Sequence, residues 1–289
     1  MKVAIFGQYY QNDTRPIIKD IFVFFNRNNV DLVIEEKFLE ILYKEEIVEK
    51  KYSTFASHAD LDSSFDILIS IGGDGTILRA ATFVRDSGIP ILGVNAGRLG
   101  FLANVQRENI ESFLQIVLEK KYTISERTLL SIECPDIALN FAMNEIAVSR
   151  KDTTSMITIE TSLNGEYLNS YWADGLIIST PTGSTGYSLS CGGPILTPNV
   201  NGLVITPIAP HNLNVRPLVI PDDTEIKLKV SGREEQYLVS LDSRIASISN
   251  NSELIIRKTP FKINMVEIPD ETFFKTLRNK LLWGEDKRN

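Results

Sequence analysis

Phe65-Asp66-Ile67-Leu68-Ile69-Ser70-Ile71-Gly72-Gly73-Asp74-Gly75-Thr76 is the stretch that decides the architecture of this chain. An apolar run of strand length ends in a glycine loop, and helical spacing begins near Thr76. Ile77, Ala81 and Val84 share one helical face, and Gly88 ends it. Glycines behind a strand let backbone N–H groups close on a phosphate, because no Cβ blocks the approach. The side chain among them, Asp74, is nevertheless a carboxylate, and phosphate repels it. A loop built only to hold phosphate carries a lysine there. An acid inside an anion cradle has other work: taking a proton from an attacking hydroxyl, or organising a metal beside the phosphate. Capping the next helix is compatible with either role. The loop reads as catalytic.

Outward from this loop, strand and helix patterns alternate. Lys2 to Phe6 and Asp31 to Ile34 read as strands. Between them Thr14 caps a predicted helix with Pro16 in its first turn and Ile17, Ile18, Ile21, Phe22 and Phe25 on one face. A helical run through Phe38, Leu39, Leu42 and Val48 follows, and beyond the loop come a strand at Pro90 to Val94 and a helix at Asn109 to Leu118. Such alternation predicts a Rossmann-like α/β domain over residues 1–122, with a parallel sheet and right-handed crossovers. Ligands gather outside the carboxyl ends of such strands, where the glycine loops fall.

After Tyr122 the rhythm changes to short β-rich runs: Leu129 to Cys134, Glu145 to Val148, Met156 to Leu163, Leu203 to Ile205, Leu218 to Ile220, Glu225 to Val230, Tyr237 to Leu241, Glu253 to Ile256 and Phe261 to Val266. Asn164-Gly165 between such runs is a strong hairpin signal. Residues 123–268 therefore predict a β-rich, sandwich-like second domain. Residues 269–289 return to helical spacing, with Phe274, Leu277 and Leu281 on one side, and predict a helix packing back on the first domain.

The second domain contains a stretch of unusual composition. From Gly175 to Val215 no Asp, Glu, Lys or Arg occurs in 41 residues, where about nine are expected at the chain average of 23%. A buried strand pair explains Leu176 to Ile178 and Leu203 to Ile205. It leaves Thr180-Pro181-Thr182-Gly183-Ser184-Thr185-Gly186-Tyr187-Ser188-Leu189-Ser190, of which seven residues carry hydroxyls. Glycines allow close approach, and hydroxyls bond to phosphates or base edges without adding charge. Of the chain's 17 glycines, seven lie in 72–100 and five in 175–193, which marks two functional loops rather than scattered turns.

Composition narrows the partners. The chain has 289 residues and a net charge of -7, with no basic footprint for nucleic acid, so the phosphate belongs to a small molecule. Cys134, Cys191, His58 and His211 fit no metal-site spacing. A short apolar run at Met1–Gly7 with one early lysine predicts no signal peptide, and no apolar stretch reaches the 18 residues of a membrane span. A cytoplasmic enzyme with reduced thiols is the expectation. The Walker pattern G-x-x-x-x-G-K-[ST] is missing, as is G-x-G-x-x-G behind the first strand and G-x-S-x-G around Ser184 or Ser188.

Several motifs, in order, carry a resemblance. Gly72-Gly73-Asp74-Gly75-Thr76, Gly93-Val94-Asn95-Ala96-Gly97-Arg98-Leu99-Gly100-Phe101 and Asn144-Glu145 resemble the NAD kinase family. So do Asp174-Gly175-Leu176-Ile177-Ile178-Ser179 with the hydroxyl-rich run that follows, Gly192-Gly193-Pro194-Ile195, Pro210-His211-Asn212-Leu213 and Arg216-Pro217. The glycine-acid loop alone is shared with lipid and sugar kinases; the second-domain motifs separate this chain from them. The resemblance implies transfer of the ATP γ-phosphoryl group to the 2′-hydroxyl of the adenosine ribose of NAD, giving NADP, with Mg²⁺ or another divalent cation accompanying ATP.

On this likeness Asp74 is the general base. Gly72, Gly73, Gly75 and Arg79 hold phosphates. Asn144 serves the base and Glu145 the ribose hydroxyls, while Asp74, Gly75, Asp174, Thr182, Thr185, Gly186, Tyr187, Ser188, Leu189 and Ser190 complete the NAD contacts. A homodimer or homotetramer is implied as well. Two departures stand out: Thr185-Gly186-Tyr187 where the family commonly has Thr-Ala-Tyr, and Asp242-Ser243-Arg244 where it has Asp-Gly-Gln or Asp-Ser-Gln. Two other readings are a lipid or sugar kinase with the same loop, and a non-catalytic NAD(P) sensor in which Asp74 is dispensable.

Overall fold

A computed structural model describes residues 1–8, 11–97, 100–103, 105, 110–134, 137–151, 155–269 and 271–283. The chain forms two units, Met1–Glu126 with Ile263–Asn289, and Arg127–Lys262. The first begins β1 (Lys2–Gly7), α1 (Gln11–Arg27), β2 (Asp31–Glu35), α2 (Glu36–Lys44) and β3 (Ser53–Phe55). It continues through β4 (Ile67–Gly72), α3 (Asp74–Val84), β5 (Ile91–Asn95), α4 (Ile110–Leu118) and β6 (Thr123–Arg127).

In the second unit come β7 (Leu130–Glu133), β8 (Phe141–Ala142), β9 (Glu145–Ser149), β10 (Ile157–Leu163), β11 (Glu166–Ala173) and β12 (Gly175–Ser179). A single helical turn, α5 (Tyr187–Ser190), separates these from β13 (Gly202–Ile208) and β14 (Leu218–Pro221). Then follow β15 (Ile226–Ser231), β16 (Gln236–Leu241), β17 (Arg244–Ser249) and β18 (Glu253–Lys258). β19 (Ile263–Glu267) and α6 (Phe273–Leu281) return to the first unit.

The first unit holds a seven-stranded sheet in the order β3-β2-β1-β4-β5-β19-β6. β1 pairs in parallel with both β2 and β4, β2 with β3, and β5 with both β4 and β19. Every residue of β4 and β5 is buried, as expected of central parallel strands covered on both faces. Ile18, Ile21 and Phe25 of α1 and Phe113, Leu114 and Val117 of α4 join Ile67, Ile69, Ile71, Leu92 and Val94 in one apolar cluster. Each such side chain stabilises the fold by ~1.5–3 kcal/mol relative to its exposed state. α3 covers the other face, where Gly93 leaves space for Ile77. Strand order reverses direction between β1 and β4, so the crevice for a ligand opens at their carboxyl ends, at Gln8 and Gly72.

Two six-stranded antiparallel sheets make the second unit, ordered β11-β10-β15-β18-β7-β8 and β14-β13-β12-β9-β16-β17. Ile132, Ile159, Leu228 and Ile256 from one sheet and Val148, Ile178, Ile205 and Val239 from the other share a single core, which is the sandwich architecture expected. Asn164 and Gly165 turn β10 into β11 with φ of 49° and 83°, the type I′ conformation this dipeptide favours.

Some expectations shift. α1 begins at Gln11, three residues ahead of Thr14, so Thr14 is a buried helical residue. α3 begins at Asp74 itself. Burial along β11 follows no two-residue period, and in β17 burial alternates but apolar Ile245 lies on the exposed face, so neither strand announces itself in the sequence. β6 and β19 belong to the first sheet although both lie inside the 123–268 span read as the second domain; Met265 of β19 pairs with Ile91 of β5. α6 packs within the first unit, as expected; the residues after 283 lie outside those described.

Candidate active site

The glycine loop bridges β4 and α3. Gly72 has φ of 152°, and a Cβ there would overlap the Thr76 hydroxyl, so only glycine fits. Thr76 Oγ1 donates to Gln8 Oε1 at 3.1 Å, tying the ends of β1 and β4 together. Gly73 caps α3 with its backbone, and neither Gly73 nor Gly75 has an atom within 4 Å of where a Cβ would stand. Both therefore present open backbone at a helix N-terminus, the setting that favours an anion.

Asp74 is the first residue of α3, yet its side chain makes no cap to its own helix. Its carboxylate instead accepts three backbone N–H groups from the tract that follows β5: Phe101 on Oδ2 at 2.8 Å, Leu102 and Ala103 on Oδ1 at 3.0 Å each. A carboxylate has about four acceptor positions, and the described residues fill three, leaving one on Oδ2. A Cβ at Gly100 would overlap this carboxylate. Nothing in the sequence pattern reveals these amides; the only trace is Gly100 itself. Arg98 and Leu99 of the same motif lie outside the described residues. Arg79 is exposed on α3, its guanidinium 5.7 Å from the centre of the Phe6 ring.

In the second unit, Asn144 and Glu145 open β9 beside the turn 183–186. Cβ positions at Gly183 and Gly186 would run into the Asn144 backbone and lie near Glu145 Oε2 and Asn144 Nδ2. Glu145 Oε2 and Asn144 Oδ1 are buried and have no hydrogen-bond partner among the described residues. Burial, reinforced by the Asp242 charge, pushes the Glu145 carboxyl up to about 8. Unsatisfied acceptors in such a place suit a ligand that brings hydroxyls or amines.

Asp242 is what holds that turn. Its buried carboxylate accepts the N–H groups of Met143 at 3.1 Å, Asn144 at 2.7 Å and Glu145 at 3.3 Å. Burial raises the Asp242 carboxyl against those bonds and against Arg244, which lies 3.7 Å away. Arg244 donates to the carbonyls of Leu139 and Phe141, so the arginine that departs from the family pattern clamps the 139–145 backbone. Sequence gave Asp242 no role, because its partners stand about a hundred positions away.

The hydroxyl-rich segment divides. Thr180 Oγ1 donates to the Met143 carbonyl at 2.6 Å and accepts from Gly183; Ser184 Oγ donates to Pro181 O and accepts from Leu196; Ser188 pairs with Thr206 at 2.8 Å. These three pin the loop from inside. Thr182 is buried and Thr185 bonds to the Thr182 carbonyl. Tyr187 and Ser190 are exposed on α5, with Leu189 half-buried between them. Burial raises the Tyr187 hydroxyl, with Cys191, Glu145 and Asp174 adding to it, which puts Tyr187 in electrostatic reach of both acids. Asp174 pairs with Arg150 at 3.2 Å. His211 is exposed, its ring tilted against that of Trp172 with centres 4.3 Å apart, and it donates its backbone N–H to the Trp172 carbonyl.

No described group of three or more His, Cys, Asp or Glu side chains could hold a metal, and no described helix is long and apolar enough to cross a membrane.

Comparison with known proteins gives the same picture. The chain is 75% identical to the NAD kinase of Flavobacterium psychrophilum over the full length of both. Its fold matches a yeast NADH kinase complexed with NADH, at a TM-score of 0.86 and 23% identity, over 100% of this chain and 89% of that one. An NAD kinase from Archaeoglobus fulgidus in complex with ATP superposes at 0.76 with 26% identity, over 97% of each chain. Family models for the ATP-NAD kinase N-terminal domain and C-terminal domain match residues 3–122 and 143–268. With its glycine-acid loop, its parallel sheet and its β-rich second unit, this chain belongs to the ATP-NAD kinase family.

Proposed function

We propose that Asp74 is the general base of an NAD kinase reaction in this chain. Its open Oδ2 acceptor position takes the proton from the 2′-hydroxyl of the adenosine ribose of NAD. The ribose oxygen forms its bond to the γ-phosphorus of ATP as the bond to the β,γ-bridging oxygen breaks, and NADP and ADP leave. The observation that carries this reading is the anchored Asp74 carboxylate, held by three amides beside the open backbone of Gly73 and Gly75. Phosphoryl transfer asks chiefly for positioning and charge neutralisation, which such a loop supplies.

Gly72, Gly73, Gly75 and Arg79 take phosphate oxygens in this reading. The divalent cation enters as part of the MgATP substrate, held mainly by phosphate oxygens, which suits a loop whose one acid is already bonded to amides. In the second unit, Asn144 and Glu145 receive the adenosine portion, the unsatisfied Oε2 accepting from ribose hydroxyls. Asp174, Thr182, Thr185, Gly186, Tyr187, Leu189 and Ser190 complete the NAD contacts. Ser188 takes part through its backbone, its hydroxyl being bonded to Thr206. The chain acts as a homodimer or homotetramer in the cytoplasm. Strongly exposed apolar residues of the second unit, Leu213 and Ile245 among them, favour self-association, which sedimentation velocity measures.

The test is turnover of purified protein with Mg²⁺, ATP and NAD, with polyphosphate as a second donor and a lipid alcohol as a second acceptor. NADP should form from NAD, and Asp74→Asn should lower kcat by ~10²–10⁴ while NAD still binds. Phosphorylation of the lipid alone, or an Asp74→Asn variant of undiminished kcat, overturns the reading.

A further inference from the structure

Asp74 is fixed from outside its own loop. The tract Gly100–Ala103 folds over the end of β5: Gly100 N–H bonds to the Ala103 carbonyl at 3.2 Å, and Val105 returns beside Val94 as a parallel bridge. Three successive amides of this tract converge on one carboxylate. That is an unusual use of backbone, because a helix-opening aspartate ordinarily bonds to the amides of its own first turn. Gly100 allows it, since any Cβ would occupy the space of the carboxylate.

The tract is in turn fastened from the far end of the chain. The Phe101 ring, on the residue whose N–H reaches Oδ2, lies 6.3 Å from the Phe273 ring of α6, centre to centre. The Lys280 ammonium stands 5.2 Å from the centre of the same Phe101 ring. α6 is itself anchored: Thr272 accepts the Lys275 N–H as its cap, and Thr276 and Leu277 are buried. Aromatic pairs at this separation are attractive beyond the area they bury.

We propose that Gly100–Ala103 is the positioning element for the Asp74 carboxylate, and that α6, through Phe273 on Phe101, holds that element in place. This rests on the reading of Asp74 as base. The amide cradle selects one carboxylate orientation and, among the described residues, leaves the outer Oδ2 position for a substrate hydroxyl. Gly100 and Phe273 are positioning residues, acting through Asp74.

Kinetics of four variants, with thermal melting and calorimetric NAD binding, test this. Gly100→Ala should lower kcat by about 10²-fold, the scale of a displaced catalytic group, with the KM for NAD and for ATP changed less than about threefold. Phe273→Ala should lower kcat by about five- to tenfold, the strength of one aromatic contact, and Phe273→Leu should restore most of it by refilling the space. Asp74→Asn is the reference. An inactive Asp74→Asn beside a fully active, folded Gly100→Ala overturns the proposal alone. A fully active Asp74→Asn overturns the base reading and the proposal with it. Should Gly100→Ala fail to fold, the Phe273 pair decides: kcat unchanged in Phe273→Ala, or equally low in Phe273→Leu, counts against the positioning role.

Discussion

Glu145 is the residue whose chemistry is furthest from ordinary. Its folded-state carboxyl lies at about 8 against 4.5 when free, because burial and the Asp242 charge both resist ionisation. The folded chain therefore keeps a proton that the unfolded chain gives up as pH rises past 4.5. Stability from this group is complete below 4.5 and declines as pH rises through about 8. Urea unfolding from pH 4.5 to 8.5 should show wild type losing stability relative to Glu145→Gln, whose neutral amide cannot titrate. Parallel curves for the two proteins would mean that Glu145 does not titrate in this window. At this scale the sequence was informative about identity and silent about partners. Asp74 stood out as an acid among glycines, and Asn144-Glu145 through likeness alone. The amides of 101–103 carry no letter, and Asp242 reaches residues 143–145 only after β9 and β16 have paired.

Among the elements, the β4–loop–α3 unit is the most self-explanatory. Its strand is a continuous apolar run, its loop glycine, its helix periodic, and each level points to the same structure. Thr76 looked like the helix start because the first apolar face residue is Ile77; the backbone of Gly73 in fact caps the helix, so it starts at Asp74. The loop's glycines also separate by purpose. Gly72 is required by the protein itself, whereas Gly73 and Gly75 face open space. Gly73→Ala and Gly75→Ala should thus leave the melting temperature nearly unchanged, within about 0.5 kcal/mol of stability. The KM for ATP should rise severalfold in each, because a methyl group then meets the phosphate rather than the protein. Unaltered ATP kinetics in both variants would show that their backbone does not approach the nucleotide. β11 was harder to read because its burial breaks the two-residue period, β17 because apolar Ile245 stands on its exposed face, and β19 because a single parallel strand looks like any other β-rich run.

For the whole molecule, the decisive fact is that the first unit is built from both ends of the chain. β19 lies between β5 and β6 in the sheet, so neither neighbour is paired on that side without it. An unpaired central edge is a liability, because it exposes a row of backbone donors and acceptors. A fragment of residues 1–126 should therefore be aggregated or largely unfolded, whereas 127–262 should give a folded β-rich protein. Circular dichroism and nuclear magnetic resonance of the two fragments check this; a stably folded 1–126 would show that β19 is dispensable. Domain order was legible from the change of rhythm near Tyr122, but the interleaving was not, since local pattern says nothing about which distant strand a β run will join.

That returning strand also sets a timetable. Chains emerge from the ribosome from their N-terminus, and domains ordinarily fold in that order. Here the first-made half must wait: its sheet lacks a member until Ile263–Glu267 has been synthesised, and α6 reaches Phe101 later still. The β-rich unit, encoded in one uninterrupted stretch, completes itself first. On the positioning role proposed for α6, the Asp74 carboxylate is among the last groups to reach working order, because Phe273 is made long after the 101–103 amides that hold it.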